Sequence, residues 1–248
     1  MRWIHDKQYT IEPFELEADL ESAIEEVYEE LFGPTRVYLK VKKKIGGKGK
    51  LTNIPDAYLI DLSSAREPKL YVVENELSKH DPLKHIAVQI LKFSLSFETT
   101  PQRVKTFIKE RLQTTPAAMK QCARYAKENG FENVDYLLER MVCDDGAFHA
   151  MVIIDELDPE LKTVLISRFQ FPVEIIELRR FCARDGQRIY QFTPFLADVF
   201  DARETGDANT LHWVHPTSTP SSFPHKTKVS RRYLLVKTGG IKTVFTAA

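Results

Sequence analysis

Apolar residues recur along the first hundred residues with two different periods. Leu20, Ile24, Val27 and Leu31 fall three or four apart, which predicts an amphipathic helix over 15–32, stopped at Gly33-Pro34. Residues 35–42 alternate as a strand does, and the glycine- and lysine-rich stretch 43–50 reads as a loop. Two apolar runs, 54–62 and 69–76, predict strands joined by a polar turn around Ser63-Ser64-Ala65-Arg66. Asp81-Pro82 then opens a helix running to about Phe97, with Ile86, Ile90, Phe93 and Phe97 as its buried stripe.

Residues 101–142 carry a polar helical pattern broken near Thr114-Thr115-Pro116 and at Asn129-Gly130, which reads as an inserted helical piece. Ala150–Ile154 is a buried strand, Asp158-Pro159-Glu160 starts a helix through Phe169, and 172–178 is another strand. Strand, helix, strand in that order predicts a parallel crossover. Arg188–Phe195 predicts a further strand and 215–224 a linker. Tyr233–Lys237 and Ile241–Thr246, joined through Gly239-Gly240, predict a hairpin. The domain reading is 1–200, with 101–145 as the helical insertion, followed by 201–248 as linker and basic extension.

A length of 248 residues with 43% apolar composition suffices for one large core or two small ones. The formal net charge is zero, which excludes a global pull toward nucleic acid or membrane. Charge is uneven, however. Lys40, Lys42, Lys43, Lys44, Lys48 and Lys50 cluster around Gly46, Gly47 and Gly49, and no acidic residue follows Asp207. The tail instead carries Lys226, Lys228, Arg231, Arg232, Lys237 and Lys242. Cys122, Cys143 and Cys182 form no CxxC pair, and no run approaches a membrane span or signal peptide, which predicts a cytoplasmic protein with reduced thiols.

The chemistry concentrates in the two runs around the polar turn. Asp56 opens the first, and Glu74 and Glu76, two apart and so on one strand face, close the second. A hairpin brings all three carboxylates together. Like charges in one site raise each other's pKa, and a divalent cation relieves that cost. The competing reading is an exposed acidic strand face paired with lysines, against which Val72 on the same face argues. For Asp56 the competing reading is an ordinary Pro-Asp strand entry, and Asp61 is a substitute at the far end of the strand.

With Pro55-Asp56 on one strand, Glu74-Asn75-Glu76 on the next, and the order helix, three strands, helix, strand, the chain resembles the PD-(D/E)xK nuclease superfamily over roughly residues 15–180. The resemblance implies an α/β restriction-endonuclease-like fold, a mixed central sheet flanked by helices, here with a helical insertion and a C-terminal β-hairpin. It implies Mg2+ or Mn2+ held by Asp56, Glu74, Glu76 and the Asn75 carbonyl, metal-dependent hydrolysis of DNA in defence or DNA processing, and homodimers in many members. Gln89 matches a glutamine the family often places near the site, giving Asp56, Glu74, Glu76 and Gln89 as candidate catalytic residues. The family usually has lysine where Glu76 stands, although a minority carries E-x-E.

That departure keeps two functions open: a nuclease in which Glu76 is ligand or general base, and a non-cleaving nucleic-acid-binding or assembly module. Lys79 lies just beyond and is placed to reach back. Lys43, Lys44, Lys48, Lys50, Lys79 and His85 are the candidate DNA contacts, against solvated loop and helix edges as the alternative. Lys92 shares the helix edge of His85 and Gln89, and Glu17 and Glu21 flank the apolar face of the first helix within reach of an ion. The basic tail is a candidate contact for DNA, a further subunit or a domain. His212, His215 and His225 lack zinc-site spacing, and no P-loop, dinucleotide or nucleophile-elbow glycine pattern occurs.

Overall fold

A computed structural model of the chain describes residues 2–4, 7–41, 54–80, 82–192, 232–238 and 241–247. Strands β1 (Arg2–Ile4) and β2 (Lys7–Ile11) precede helix α1 (Glu17–Phe32). Strands β3 (Arg36–Lys40), β4 (Ala57–Asp61) and β5 (Lys69–Glu76) follow, then a short 3-10 turn, Ser78–His80. Helices α2 (Pro82–Thr99), α3 (Pro101–Gln113), α4 (Pro116–Glu128) and α5 (Val134–Cys143) lead to β6 (His149–Ile154). Helix α6 (Pro159–Ser167), β7 (Val173–Ala183), β8 (Arg188–Phe192), β9 (Arg232–Thr238) and β10 (Ile241–Ala247) complete the order.

The sheet runs β10-β9-β8-β7-β6-β5-β4-β3, with β2 on β7 and β1 on β2. β3, β4 and β5 form an antiparallel meander, whereas β6 lies parallel to β5 and β7 parallel to β6. The sheet is therefore mixed, and the expected crossover through α6 is parallel. Asp158 caps α6, its Oδ1 accepting the Glu160 and Leu161 N–H groups at 2.7 and 3.2 Å. The hairpin of β9 and β10 extends the sheet beyond β8.

Helices cover both faces of the central strands. Leu20, Ile24, Val27 and Leu31 of α1 pack with Leu59, Tyr71, Val73 and Ile153. Ile86, Ile90, Phe93 and Phe97 of α2 pack on the other face with Tyr58, Ile60, Leu70, Val72 and Val152. Burial on both faces is why β4 and β5 read as nearly continuous apolar runs rather than alternating ones. α1 ends at Gly33, whose φ of 74° suits glycine and whose N–H donates to the Glu29 carbonyl at 2.8 Å.

The segment 101–142 forms three helices between α2 and β6, whose Ile108, Leu112, Cys122, Leu137 and Met141 belong to the same core as α2. Some expectations change. β7 continues five residues past the predicted end at 178, and β2 was not expected at all. β8 is described to Phe192; the rest of the predicted strand, the 215–224 linker and the loop 43–50 lie outside the described residues. No helix among the described residues is long and apolar enough to cross a membrane.

Candidate metal centre

The β4–β5 register pairs Ala57 with Val73 and Asp61 with Lys69. Continued by one residue, it sets Asp56 opposite Glu74, at the end of the meander where β5 runs on into the 3-10 turn. The Asn75 N–H donates to Asp56 Oδ2 at 2.9 Å, which clasps the two strand ends. The Asp56 carbonyl accepts from the Val41 N–H at 2.8 Å, so Asp56 is held on both sides.

Glu74 is only 6% exposed, and its Oε1 is buried without a hydrogen-bond partner. Burial pushes its carboxyl up to about 9, with Asp56 and Glu76 adding to the shift and the Asp56 N–H opposing it. Burial likewise pushes Asp56 up to about 6, opposed by the Asn75 N–H and reinforced by Glu21, Glu17 and Glu76. Glu76 is also raised, first by burial and then by Glu17, while the Leu77 N–H and His80 favour its charged form. All three shifts come first from burial, with neighbouring carboxylates adding to them.

Glu76 Oε1 accepts the Leu77 N–H at 3.0 Å and lies 3.2 Å from His80 Nδ1. The same His80 nitrogen lies 3.2 Å from Glu17 Oε1 in the first turn of α1. Glu17, Glu76 and His80 each offer a ligand atom within 4.8 Å of the others. His85 Nδ1 stands 3.9 Å from Glu76 Oε2, at the outer margin of the group. Asp56 stands opposite Glu74 at the strand ends, whereas Glu76 groups with Glu17 and His80; neither Asp56 nor Glu74 belongs to that set of close ligand atoms. His80 was missed; its spacing of four from Glu76 was the available signal.

Other candidates fall outside the cluster. Lys79 does not reach back: its Nζ donates to the Glu15 carbonyl at 2.6 Å and sits 3.8 Å from the Glu15 carboxylate. Among the described residues no lysine or arginine forms an ion pair with Asp56, Glu74 or Glu76. Lys40 binds Glu21 and Glu25 of α1 at 2.8 and 3.0 Å. The Asn75 side chain leaves the site, its Nδ2 donating to the Tyr38 hydroxyl at 3.3 Å. Gln89 is half-buried on α2 and makes no hydrogen bond to the carboxylates; Lys92 is exposed. Asp61 is buried in an ion pair, 3.2 Å from Arg36 Nε, and also accepts the Ser63 N–H at 2.9 Å. It is therefore a structural carboxylate, not a substitute ligand. Lys43, Lys44, Lys48 and Lys50, and the histidines of the tail, lie outside the described residues.

The donor set suits a cation. An acceptor oxygen buried without a donor costs free energy unless a proton or a metal occupies it. Among the described residues, the donor atoms close enough to share one ion are those of Glu17, Glu76 and His80, two carboxylates and an imidazole. No family model, curated protein or solved structure matches the chain.

Proposed function

We propose that the chain is a divalent-metal-dependent deoxyribonuclease of restriction-endonuclease-like architecture, hydrolysing phosphodiester bonds in DNA. The observation that carries the reading is the buried, unpartnered Glu74 oxygen opposite Asp56. The order α1, β3, β4, β5, α2, β6, with β6 parallel to β5, supports it.

Asp56 and Glu74 would hold the ion, with Glu76 beside them. Bound there, the ion supplies Lewis-acid polarisation of a phosphate and an acidified water. Asp56 is pre-set by the Asn75 N–H, which orients its carboxylate before any ligand arrives. Glu76 stands where the enzymes that the sequence resembles have lysine, and it would act as general base, accepting a proton from the attacking water. The Leu77 N–H and His80 hold its carboxylate in place for that role. His85, exposed at the start of α2, faces incoming phosphate.

A second reading, a non-cleaving nucleic-acid-binding module, is favoured by one observation: no lysine or arginine among the described residues pairs with the carboxylates. Incubation with plasmid and linear DNA plus Mg2+ or Mn2+, beside Asp56→Ala and Glu74→Ala, separates the two. Metal-dependent cleavage lost in both variants supports the nuclease. Cleavage that survives both variants removes the assignment of the site. Retained salt-dependent DNA binding without cleavage in any metal supports the module.

A further inference from the structure

Helices α3, α4 and α5 treat their charges differently. Lys105 and Lys109 of α3 each bind Asp135 of α5 at 2.7 Å, Lys105 also pairs with Glu139, and Arg140 binds Asp144 at 2.9 Å. Lys120, Arg124 and Lys127 of α4 are all exposed, and none of them pairs with an acid among the described residues. Their spacing of four and three sets them on one helix face, opposite the buried Ala118, Cys122, Tyr125 and Ala126. The acid on the exposed side is Glu128, at the margin of the face. The chain as a whole balances 35 basic against 35 acidic residues, so this face is a local excess of positive charge. The helix dipole favours a base in the last turn, which accounts for Lys127 but not for Lys120 in the first half of the helix.

The face is held away from the metal centre. Gln121 Nε2 donates to the Pro34 carbonyl at 3.0 Å, and the Tyr125 hydroxyl donates to the Ser64 carbonyl in the β4–β5 turn. Both anchors lie at the Asp61 end of β4. Asp56 lies at the other end, and the five residues of β4 alone span roughly 13 Å. The three cations therefore do not serve to neutralise the carboxylates. Their own spacing fits a polymer of phosphates. Lys120 to Lys127 covers roughly 10 Å along the helix, a length over which one strand of a duplex presents about three phosphates. Exposed Ala117 and Ala123 beside them add little bulk to hold such a partner off.

We propose that the exposed face of α4 is a DNA-backbone surface, on which Lys120, Arg124 and Lys127 contact successive phosphates at a distance from the metal centre. The inference rests on the nucleic-acid reading given above. It assigns the helical segment between α2 and β6 a function of its own: α4 grips the duplex and the carboxylates carry the chemistry. Phosphate contacts fix affinity and orientation without reading sequence, so the grip is the same for any duplex.

Fluorescence anisotropy of a labelled duplex of about 20 base pairs, in EDTA and at salt from about 50 to 200 mM, tests it. The triple variant Lys120→Gln, Arg124→Gln, Lys127→Gln lowers the slope of log affinity against log salt by roughly 2.7 and weakens binding at the lowest salt by roughly tenfold or more. Its melting temperature stays that of the wild type. Its Mn2+-dependent hydrolysis of bis(p-nitrophenyl) phosphate, a diester too small to reach α4, is also unchanged. A variant with the wild-type slope and affinity overturns the proposal and leaves the nuclease reading standing. A wild-type protein that hydrolyses no diester, but whose DNA affinity falls in the variant, overturns the nuclease reading and keeps this one. Displacement of the duplex by polyglutamate at equal charge would mark a surface for any polyanion and overturn the assignment to DNA.

Discussion

Asp56 and Asn75 are joined across two strand ends, the Asn75 backbone N–H donating to the Asp56 carboxylate at 2.9 Å. A carboxylate fixed by a main-chain donor cannot swing away from Glu74, whose buried oxygen has no other partner. The two strand ends are thus tied together beside a buried oxygen that lacks a donor.

Metal should stabilise the fold through Glu74. A ligand present at a hundred times its Kd adds about 2.7 kcal/mol, which for a chain of this size raises Tm by roughly 5–10 °C. Scanning fluorimetry with Mn2+ or Mg2+ against EDTA should show that rise in the wild type and its loss in Glu74→Ala and Asp56→Ala. An equal rise in all three proteins would place the ion elsewhere.

The metal-free protein should lose stability as pH rises. Glu74 moves from an ordinary value near 4.5 to about 9, and Asp56 from 3.8 to about 6. Between those limits the native state keeps a proton that the unfolded chain has released, so stability falls with increasing pH. Tm measured in EDTA should drop from pH 5 to pH 9, most steeply below pH 6 where both groups contribute. Glu74→Gln should flatten the curve, leaving the portions from Asp56 and Glu76. A wild-type Tm constant over this range would contradict the burial of Glu74.

His80 should tune the choice of metal rather than its presence. An imidazole nitrogen favours Zn2+ or Co2+ over Mg2+ more than carboxylates alone do. Calorimetric titration of His80→Ala should show Zn2+ or Co2+ binding weakened by about 10- to 100-fold, the scale of losses at such positions. Mg2+ binding should change far less. Equal losses for both ions would make His80 a general structural support.

The central strands were legible because burial on both faces leaves an unbroken apolar run, as in Ala57–Asp61 and Leu70–Val73. The alignment of Asp56 with Glu74 followed from the polar turn between those runs. β2 and the end of β7 were not legible because their charges are neutralised far away in sequence. Lys7 of β2 binds Asp185 at 2.7 Å, and Arg180 of β7 binds Glu12 at 2.9 Å. His80 escaped notice for a similar reason: half of its environment, Glu17, arrives from a helix 63 positions earlier. The helices of 101–142 read as polar because apolar residues occupy one narrow stripe of each, enough to reach the core.

Asp61 offers a control with the same chemistry and a different role. It pairs with buried Arg36, which also donates to the Phe32 carbonyl at 2.8 Å. Removing one partner of a buried ion pair costs about 3–5 kcal/mol, equivalent here to roughly 6–20 °C in Tm. Asp61→Ala should therefore melt earlier while keeping the full metal-induced rise above its new, lower Tm. Loss of that rise would bring Asp61 into the site.

Glu76 carries the remaining question, because the proposed nuclease reading puts a proton-transfer role on it. Its carboxylate is held by the Leu77 N–H and His80 and is raised mainly by burial. If it is the general base, Glu76→Gln should lower the DNA cleavage rate by about 10²- to 10⁴-fold. The metal-induced rise in Tm, carried by Asp56 and Glu74, should largely persist. The acidic limb of the pH–rate profile, which reports the free enzyme's base, should vanish with it. A variant that cleaves at the wild-type rate with an unchanged profile would assign proton transfer to another group. A variant that loses metal binding and cleavage together would make Glu76 a ligand instead.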